Sequence, residues 1–210
     1  MKQIIVGISG ASGIILGWRA VDVLTSLGHT VHLVLSRAAL VTANEEMGPE
    51  YASSEKFLNQ LPIDQRQFVK LHKIGDFTAP IASGSYPVDG MLIIPCSMAT
   101  LAGVALGMAD NLLRRAADVT LKERRRLVIV PREAPLSEIH LDNMVRITRM
   151  GAIIMPPVPA WYTKPQSLRD IEDFIVGRSL ELMGIDASLY PKWGVEGTQE
   201  TIGTKETVGT

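Results

Sequence analysis

A chain of 210 residues, 46% of them hydrophobic, is long enough to bury a sizeable core as one domain. Its formal charge of −1 excludes a global field that would draw nucleic acid or an anionic membrane, so any anion site must be local. A single cysteine excludes an internal disulfide framework, and the absence of a signal-peptide pattern or an apolar run of about 18 residues predicts a soluble cytoplasmic protein.

Residues 2–9 form a continuous apolar run, the pattern of a parallel strand buried on both faces. The run passes into Val6-Gly7-Ile8-Ser9-Gly10-Ala11-Ser12-Gly13, and residues 14–27 carry apolar side chains at helical spacing as far as Gly28, a good helix stop. A loop between a strand and a helix start gathers backbone N–H groups where the helix dipole favours a phosphate or an electron-rich ring, and Ser9 and Ser12 add hydroxyls. The glycines fit neither G-x-G-x-x-G nor G-x-x-x-x-G-K-S/T, and neither serine lies in G-x-S-x-G. By itself the loop is equally readable as a tight turn that uses glycine for its backbone freedom.

Residues 30–35 read as a second strand ending at Ser36, and residues 38–47 as a helix that carries Glu45 and Glu46 before Gly48-Pro49 stops it. Alternating strands and helices predict right-handed crossovers and an α/β doubly wound, mainly parallel sheet with helices on both faces. Ligands of such sheets bind beyond the carboxyl ends of the strands, which places Gly10, Ala11, Ser12 and Ser36 on one rim.

Residues 48–90 are less regular: a short helix over 54–61, a strand over 68–72, and loop stretches Phe77-Thr78-Ala79-Pro80 and Ser83-Gly84-Ser85 that suit a surface for assembly. Residues 91–94 are a buried strand leading into Pro95-Cys96-Ser97-Met98-Ala99-Thr100, with a helix from Leu101. Alone, Ser97 reads as an N-cap; as the third polar loop on the rim it also points to ligand binding. Residues 111–122 read as a helix with Arg114 and Arg115, followed by the basic run Lys122-Glu123-Arg124-Arg125-Arg126, of which one or two cations are expected to serve function. Residues 127–130 are another buried strand. Arg132 and Glu133 follow it between Pro131 and Pro135, held with little freedom and pointing to the ligand rim.

Residues 137–149 form a helix capped by Ser137, residues 152–155 the last strand, and Pro156-Pro157-Val158-Pro159-Ala160-Trp161-Tyr162 a stiff loop presenting two aromatics. The closing helix, 167–183, includes Arg178, and Leu189-Tyr190-Pro191-Lys192-Trp193-Gly194 is expected to fold back over the body or a neighbouring subunit. One domain covers residues 1–194, and residues 195–210, rich in Gly, Thr and Glu, are expected to be disordered.

His29, His32, His72 and His140 show neither H-x-x-x-H spacing nor a cysteine partner, so each reads as structural and no metal is expected. Cys96 lies at a helix start, but the proline and buried strand before it make packing its expected role. What remains is a phosphate-oriented set: Arg115, Lys122, Arg132 and Arg178, with Tyr162 as a hydroxyl donor. Clustered cations of this kind bind a phosphate and stabilise it as a leaving group.

The motifs G-I-S-G-A-S-G, P-C-S-M-A-T, N-L-L-R-R-A-A-D-V-T-L-K-E-R-R, V-P-R-E-A-P and I-H-L-D-N-M, with Trp193 beyond them, closely resemble the UbiX/Pad1 flavin prenyltransferases. The resemblance implies a flavodoxin-like, Rossmann-like subunit that binds reduced FMN and dimethylallyl monophosphate. It implies that the prenyl group is joined to flavin N5 and C6, giving prenylated FMN for a UbiD-type decarboxylase, with no metal. It also implies a dodecamer with active sites at subunit contacts. Carried over by position, Gly10, Ala11 and Ser12 contact the flavin, Ser12 near N5, while Ser36, Ser97, Met98, Ala99, Thr100 and Arg132 hold the rest of FMN. Arg115, Lys122, Glu133, Tyr162 and Arg178 surround the prenyl phosphate, some from a neighbouring chain. Trp193 lies near the prenyl pocket, and catalysis falls to Ser12, Glu46, Glu133 and Lys122. Ala99 stands where many relatives have lysine or glycine, and Trp161 where phenylalanine is frequent; both bear on pocket shape. An FMN-dependent cysteine decarboxylase is the alternative enzyme, although its P-x-M-N-x-x-M-W motif is missing here. A flavin-binding regulatory protein without turnover is the other alternative, and such a protein needs no leaving-group site.

Overall fold

A computed structural model describes residues 1–194; the tail expected over 195–210 lies outside the described residues. Strands β1 (Gln3–Ile8), β2 (Thr30–Leu35), β3 (Val69–His72), β4 (Gly90–Cys96), β5 (Arg126–Pro131) and β6 (Ile153–Ile154) form one sheet in the order β3-β2-β1-β4-β5-β6. Every neighbouring pair is parallel. Without the short edge strand β3 this is the order of a flavodoxin, and with it the order of a dinucleotide-binding fold; both place the switch point between β1 and β4.

The alternation of side chains along the strands fills two cores. Ile4, Val6 and Ile8 of β1 join Leu92 and Ile94 of β4 and Val128 and Val130 of β5 on one face, beneath α1 (Ile14–Ser26), α2 (Arg37–Met47) and the last helix. Ile5, Met91, Ile93, Leu127 and Ile129 pack on the other face. The short helices α3 (Ser54–Asn59) and α4 (Ile63–Arg66) follow α2; α5 (Met98–Ala105), α6 (Leu112–Lys122) and α7 (Glu138–Arg149) cover the second face, and α8 (Leu168–Leu182) returns to the first. The four residues of α4 are too few for a periodic signal, and the sequence did not announce them. The expected strands over 2–9 and 68–72 and the last strand over 152–155 are shorter than their apolar runs. Among the described residues no helix is long and apolar enough to cross a membrane.

Helix α1 lies so close to the sheet that a Cβ on Gly17 would stand 2.5 Å from the Ile94 carbonyl oxygen and 2.7 Å from Ile8 Cδ1. Helix propensity alone would make Gly17→Ala stabilising by about 1 kcal/mol. Overpacking against backbone costs typically 1–3 kcal/mol, and with the carbonyl only 2.5 Å away the upper part of that range applies, so the substitution is expected to lower stability by up to roughly 2 kcal/mol net. Urea unfolding of the variant checks this, and a midpoint at or above wild type would refute the close contact.

Candidate active site

Backbone hydrogen bonds tie four strand ends into one rim. The Ser9 N–H donates to the Pro95 carbonyl at 3.1 Å, Ser36 N–H to Ile8 at 3.0 Å, and Arg132 N–H to Cys96 at 3.1 Å. Ser9 itself is buried: its Oγ accepts from the Ser97 N–H at 2.8 Å and lies 3.4 Å from Ser97 Oγ, so this serine knits the two glycine-side and proline-side loops rather than facing outward. A Cβ at Gly10 would collide with Ala38 at the start of α2, which makes glycine necessary where the first loop rests on the second helix. Gly13, the residue before α1, sits at φ 97°, a backbone conformation that glycine adopts without strain.

Three helix starts converge on this rim. Ser36 caps α2 by accepting from the Ala39 N–H, and Ser97 caps α5 by accepting from the Thr100 N–H. Helix α5 therefore begins at Met98 rather than at Leu101, and Met98, Ala99 and Thr100 form its first turn. Each cap takes one amide of the first turn, leaving the earlier ones turned to an incoming acceptor. Helix α1 has no cap of its own; Glu46 reaches across from the end of α2, and its carboxylate accepts from Gly13 N–H at 3.0 and 3.1 Å and from Ile14 N–H at 3.0 Å. This brings Glu46 beside the loop that carries the half-buried Ser12. Arg132 and Glu133 stand exposed at the end of β5, where Glu133 accepts from the Ala134 N–H.

Lys122 is elsewhere, and Arg115 is tied to the loop before β4. Helix α6 runs back against the sheet, so Lys122, four residues ahead of β5, lies at the amino end of the strands, opposite the rim. There Lys122 pairs with its neighbour Glu123. Arg115 donates to the Ala82 carbonyl at 3.1 Å and to Asp118 at 2.9 Å, and Arg125 donates to the carbonyls of Gly84 and Tyr86. The loop expected as an assembly surface over Ser83-Gly84-Ser85 is thus held by Arg125, beyond the end of α6, while Arg115 holds the residue before it.

A third group forms beside α8. Residues 186–193 fold back over this helix of the same chain, and Tyr162, Phe174, Arg178, Tyr190 and Trp193 line a pocket of about 270 Å³. Tyr162 meets Trp193 edge-on with ring centroids 5.1 Å apart and Phe174 at 6.3 Å. Arg178, Tyr162 and Trp193 are all substantially exposed, so in the single chain the pocket is open and its guanidinium is accessible to an anion.

The Flavoprotein family matches residues 1–180. The flavin prenyltransferase UbiX of Halalkalibacterium halodurans is 47% identical over 191 residues, spanning 91% of this chain and 93% of that one. The chain belongs to the flavoprotein family, among its UbiX members. The crystal structure of AnUbiX (PadA1), in complex with FMN and dimethylallyl pyrophosphate, is 44% identical with a TM-score of 0.82 over 92% of this chain and 98% of its own. A dodecameric FMN-dependent UbiX-like decarboxylase from Escherichia coli O157:H7 is 41% identical with the same TM-score, over 91% and 98%.

In this UbiX-family chain Ala99 is exposed, and its contribution to the fold is its carbonyl, which accepts from Arg114 Nη2 at 2.8 Å. Arg114 also holds Asp110 through two contacts of 3.0 Å, so it fixes the first turn of α5 from the neighbouring helix. Neither Arg114 nor the carboxylate of Glu181 in the α8 pocket stood out in the sequence; an arginine followed by another arginine, and a glutamate late in an amphipathic helix, look like ordinary surface charges. Trp161 is exposed. Cys96 is fully buried, and burial pushes its thiol up to about 12, so packing is its role and not nucleophilic attack.

Proposed function

We infer that the chain is a flavin prenyltransferase that joins the dimethylallyl group of dimethylallyl monophosphate to N5 and C6 of reduced FMN, and that a UbiD-type decarboxylase receives the prenylated FMN. The observation that carries this reading is the coexistence of two unlike sites: a rim of three helix starts, and separate sets of cations with an aromatic pocket. A flavin carrier needs only the first; transfer from a phosphate donor needs the second as well.

The rim fits FMN. The α2 and α5 starts and Arg132 offer N–H groups and positive charge to its phosphate and polar edge, and the Gly10, Ala11 and Ser12 loop lies where the ring would rest, with Ser12 toward N5. Bound reduced FMN supplies the nucleophilic N5 and C6. Arg115, Lys122, Arg178 and Tyr162 stabilise the departing phosphate, Trp193 helps to exclude water, and Glu133 orients the released phosphate as it takes the C6 proton. Ser12 and Glu46 manage the proton at N5. A single chain carries Lys122 at the opposite end of the sheet from Glu133, so in this reading the complete phosphate site draws on a second copy. Helix α7 supports assembly, since it buries only Ile147 while Ile139 and Val145 face outward. A dodecamer in the cytoplasm is the expected working form.

The deciding experiment is anaerobic incubation of the full chain with reduced FMN and dimethylallyl monophosphate, followed by mass analysis of the flavin. A gain of one dimethylallyl unit is expected. Unchanged FMN after prolonged incubation would sink the assignment.

A further inference from the structure

One carboxylate in the α8 pocket touches each part of its charged wall. Glu181 Oε2 accepts from Arg178 Nη1 at 2.9 Å and from the Tyr190 hydroxyl at 2.5 Å, while Oε1 lies 3.2 Å from Lys192 Nζ. The Glu181 side chain is 16% exposed, so these charge-assisted bonds are shielded from competing water. Tyr190 reaches Glu181 because the strap 186–193 lies flat on the helix: a Cβ on Gly177 would meet Tyr190 Cδ1 at 2.8 Å, and the Tyr190 ring meets Phe174 edge-on at 4.9 Å. Asp186, at the start of the strap, holds Lys192 at 2.8 Å.

Burial pushes the Glu181 carboxyl up, but its three donors outweigh that and hold it below the usual carboxylate range. The Tyr190 hydroxyl is raised by burial and by the carboxylate it donates to. At neutral pH Glu181 is therefore charged and Tyr190 remains a donor. A negative charge beside an anion site opposes binding unless it is spent on orienting cations. Among the described residues Glu181 takes Arg178 through Nη1 alone, and a guanidinium carries five N–H donors in a fixed plane, so fixing one edge aims the others.

We propose that Glu181 is a positioning residue for the prenyl donor: through Arg178, Tyr190 and Lys192 it sets the phosphate-binding guanidinium and the strap that carries Trp193 as one unit. This rests on the reading that Arg178 faces the prenyl phosphate. The pair Glu181 and Tyr190, nine residues apart, thereby joins the aromatic wall of the pocket to its charge.

The test is the affinity of dimethylallyl monophosphate for the full-length protein carrying oxidised FMN, whose N5 is not nucleophilic, so that binding is read by calorimetry without turnover. Glu181→Gln weakens the donor about tenfold and Tyr190→Phe about threefold, with FMN affinity unchanged in both. Arg178→Ala weakens the donor at least as much, and adding Glu181→Gln to it costs clearly less than the tenfold it costs alone, because part of what Glu181 does passes through Arg178. Wild-type affinity in Glu181→Gln, or an equal further loss in the Arg178→Ala background, overturns the proposal. If Arg178→Ala binds the donor like wild type, the phosphate reading of Arg178 fails and the proposal falls with it. Should Glu181→Gln lose FMN as well, Tyr190→Phe decides, since it keeps the ring seated on Gly177: donor affinity equal to wild type then refutes the role.

Discussion

Chains carrying Lys122→Ala and chains carrying Glu133→Ala, each inactive when assembled alone, recover about one quarter of wild-type prenylation when the two are co-assembled in equal amounts. The expectation follows from the direction of one helix. Lys122 ends α6 at the amino side of β5, and Glu133 follows the carboxyl end of that strand. Six residues of extended chain separate the two rims by roughly 17 Å, too far for both side chains to hold one phosphate. If one prenyl phosphate meets both, they come from different copies. Random mixing then gives a site an intact Lys122 with a chance of about one half and an intact Glu133 with the same chance, independently. Glu133→Ala chains should still bind flavin, because the three helix starts of the rim are untouched. The measurement is the prenylation rate of co-expressed, doubly tagged assemblies against a mixture of separately assembled ones. Equal rates in the two samples would place both residues in one chain's site and refute the shared arrangement.

Local chemistry was legible in the sequence. Ser97 and Ser137 cap the helices that begin after them, as their sequence positions indicate; Ser36, read as the end of a strand, and Ser167, read as the first residue of a helix, turn out to be caps too, and the apolar runs became the buried strands at nearly the expected positions. The histidines read as structural are structural: His29 accepts from the Lys2 N–H, and His140 completes a capping box with Ser137. The grouping of Lys122 with Arg132 and Arg178 was a matter of residue type, and residue type carries no information about which end of the sheet a returning helix delivers. Glu46 shows the same limit from the other side. Its bonds to Gly13 and Ile14 join residues more than thirty positions apart, and only the packing of α2 beside α1 brings them together. The Glu181 hub was hidden for a third reason, since it exists only once the strap has folded back over Gly177.

Acid is expected to weaken this fold first through His32, before most carboxylates titrate. This histidine is fully buried on β2, with its Nδ1 3.0 Å from His72 Nε2 and its Nε2 3.3 Å from the Gln3 side-chain oxygen, which also accepts from Tyr86. Donation from Nε2–H to Gln3 leaves Nδ1 as the acceptor of the His72 N–H, so a proton added to His32 would set one N–H against another. Burial, the neighbouring His72 and Lys70 together lower its pKa from 6.5 to about 4. His72 is lowered as well, by burial first, with Asp76 opposing and Lys70 assisting. In the unfolded chain His32 takes its proton near pH 6.5; in the folded chain it does so only near 4. The unfolded state therefore binds more protons across that window, and the stability present above pH 6.5 is lost as the pH falls. By pH 5 the loss from His32 amounts to about 2 kcal/mol, before most carboxylates titrate. Urea unfolding at pH 7 and pH 5 measures it directly. His32→Gln, whose amide can both donate and accept, should remove most of the difference between the two pH values; a variant that keeps the full difference would show that the acid sensitivity lies elsewhere.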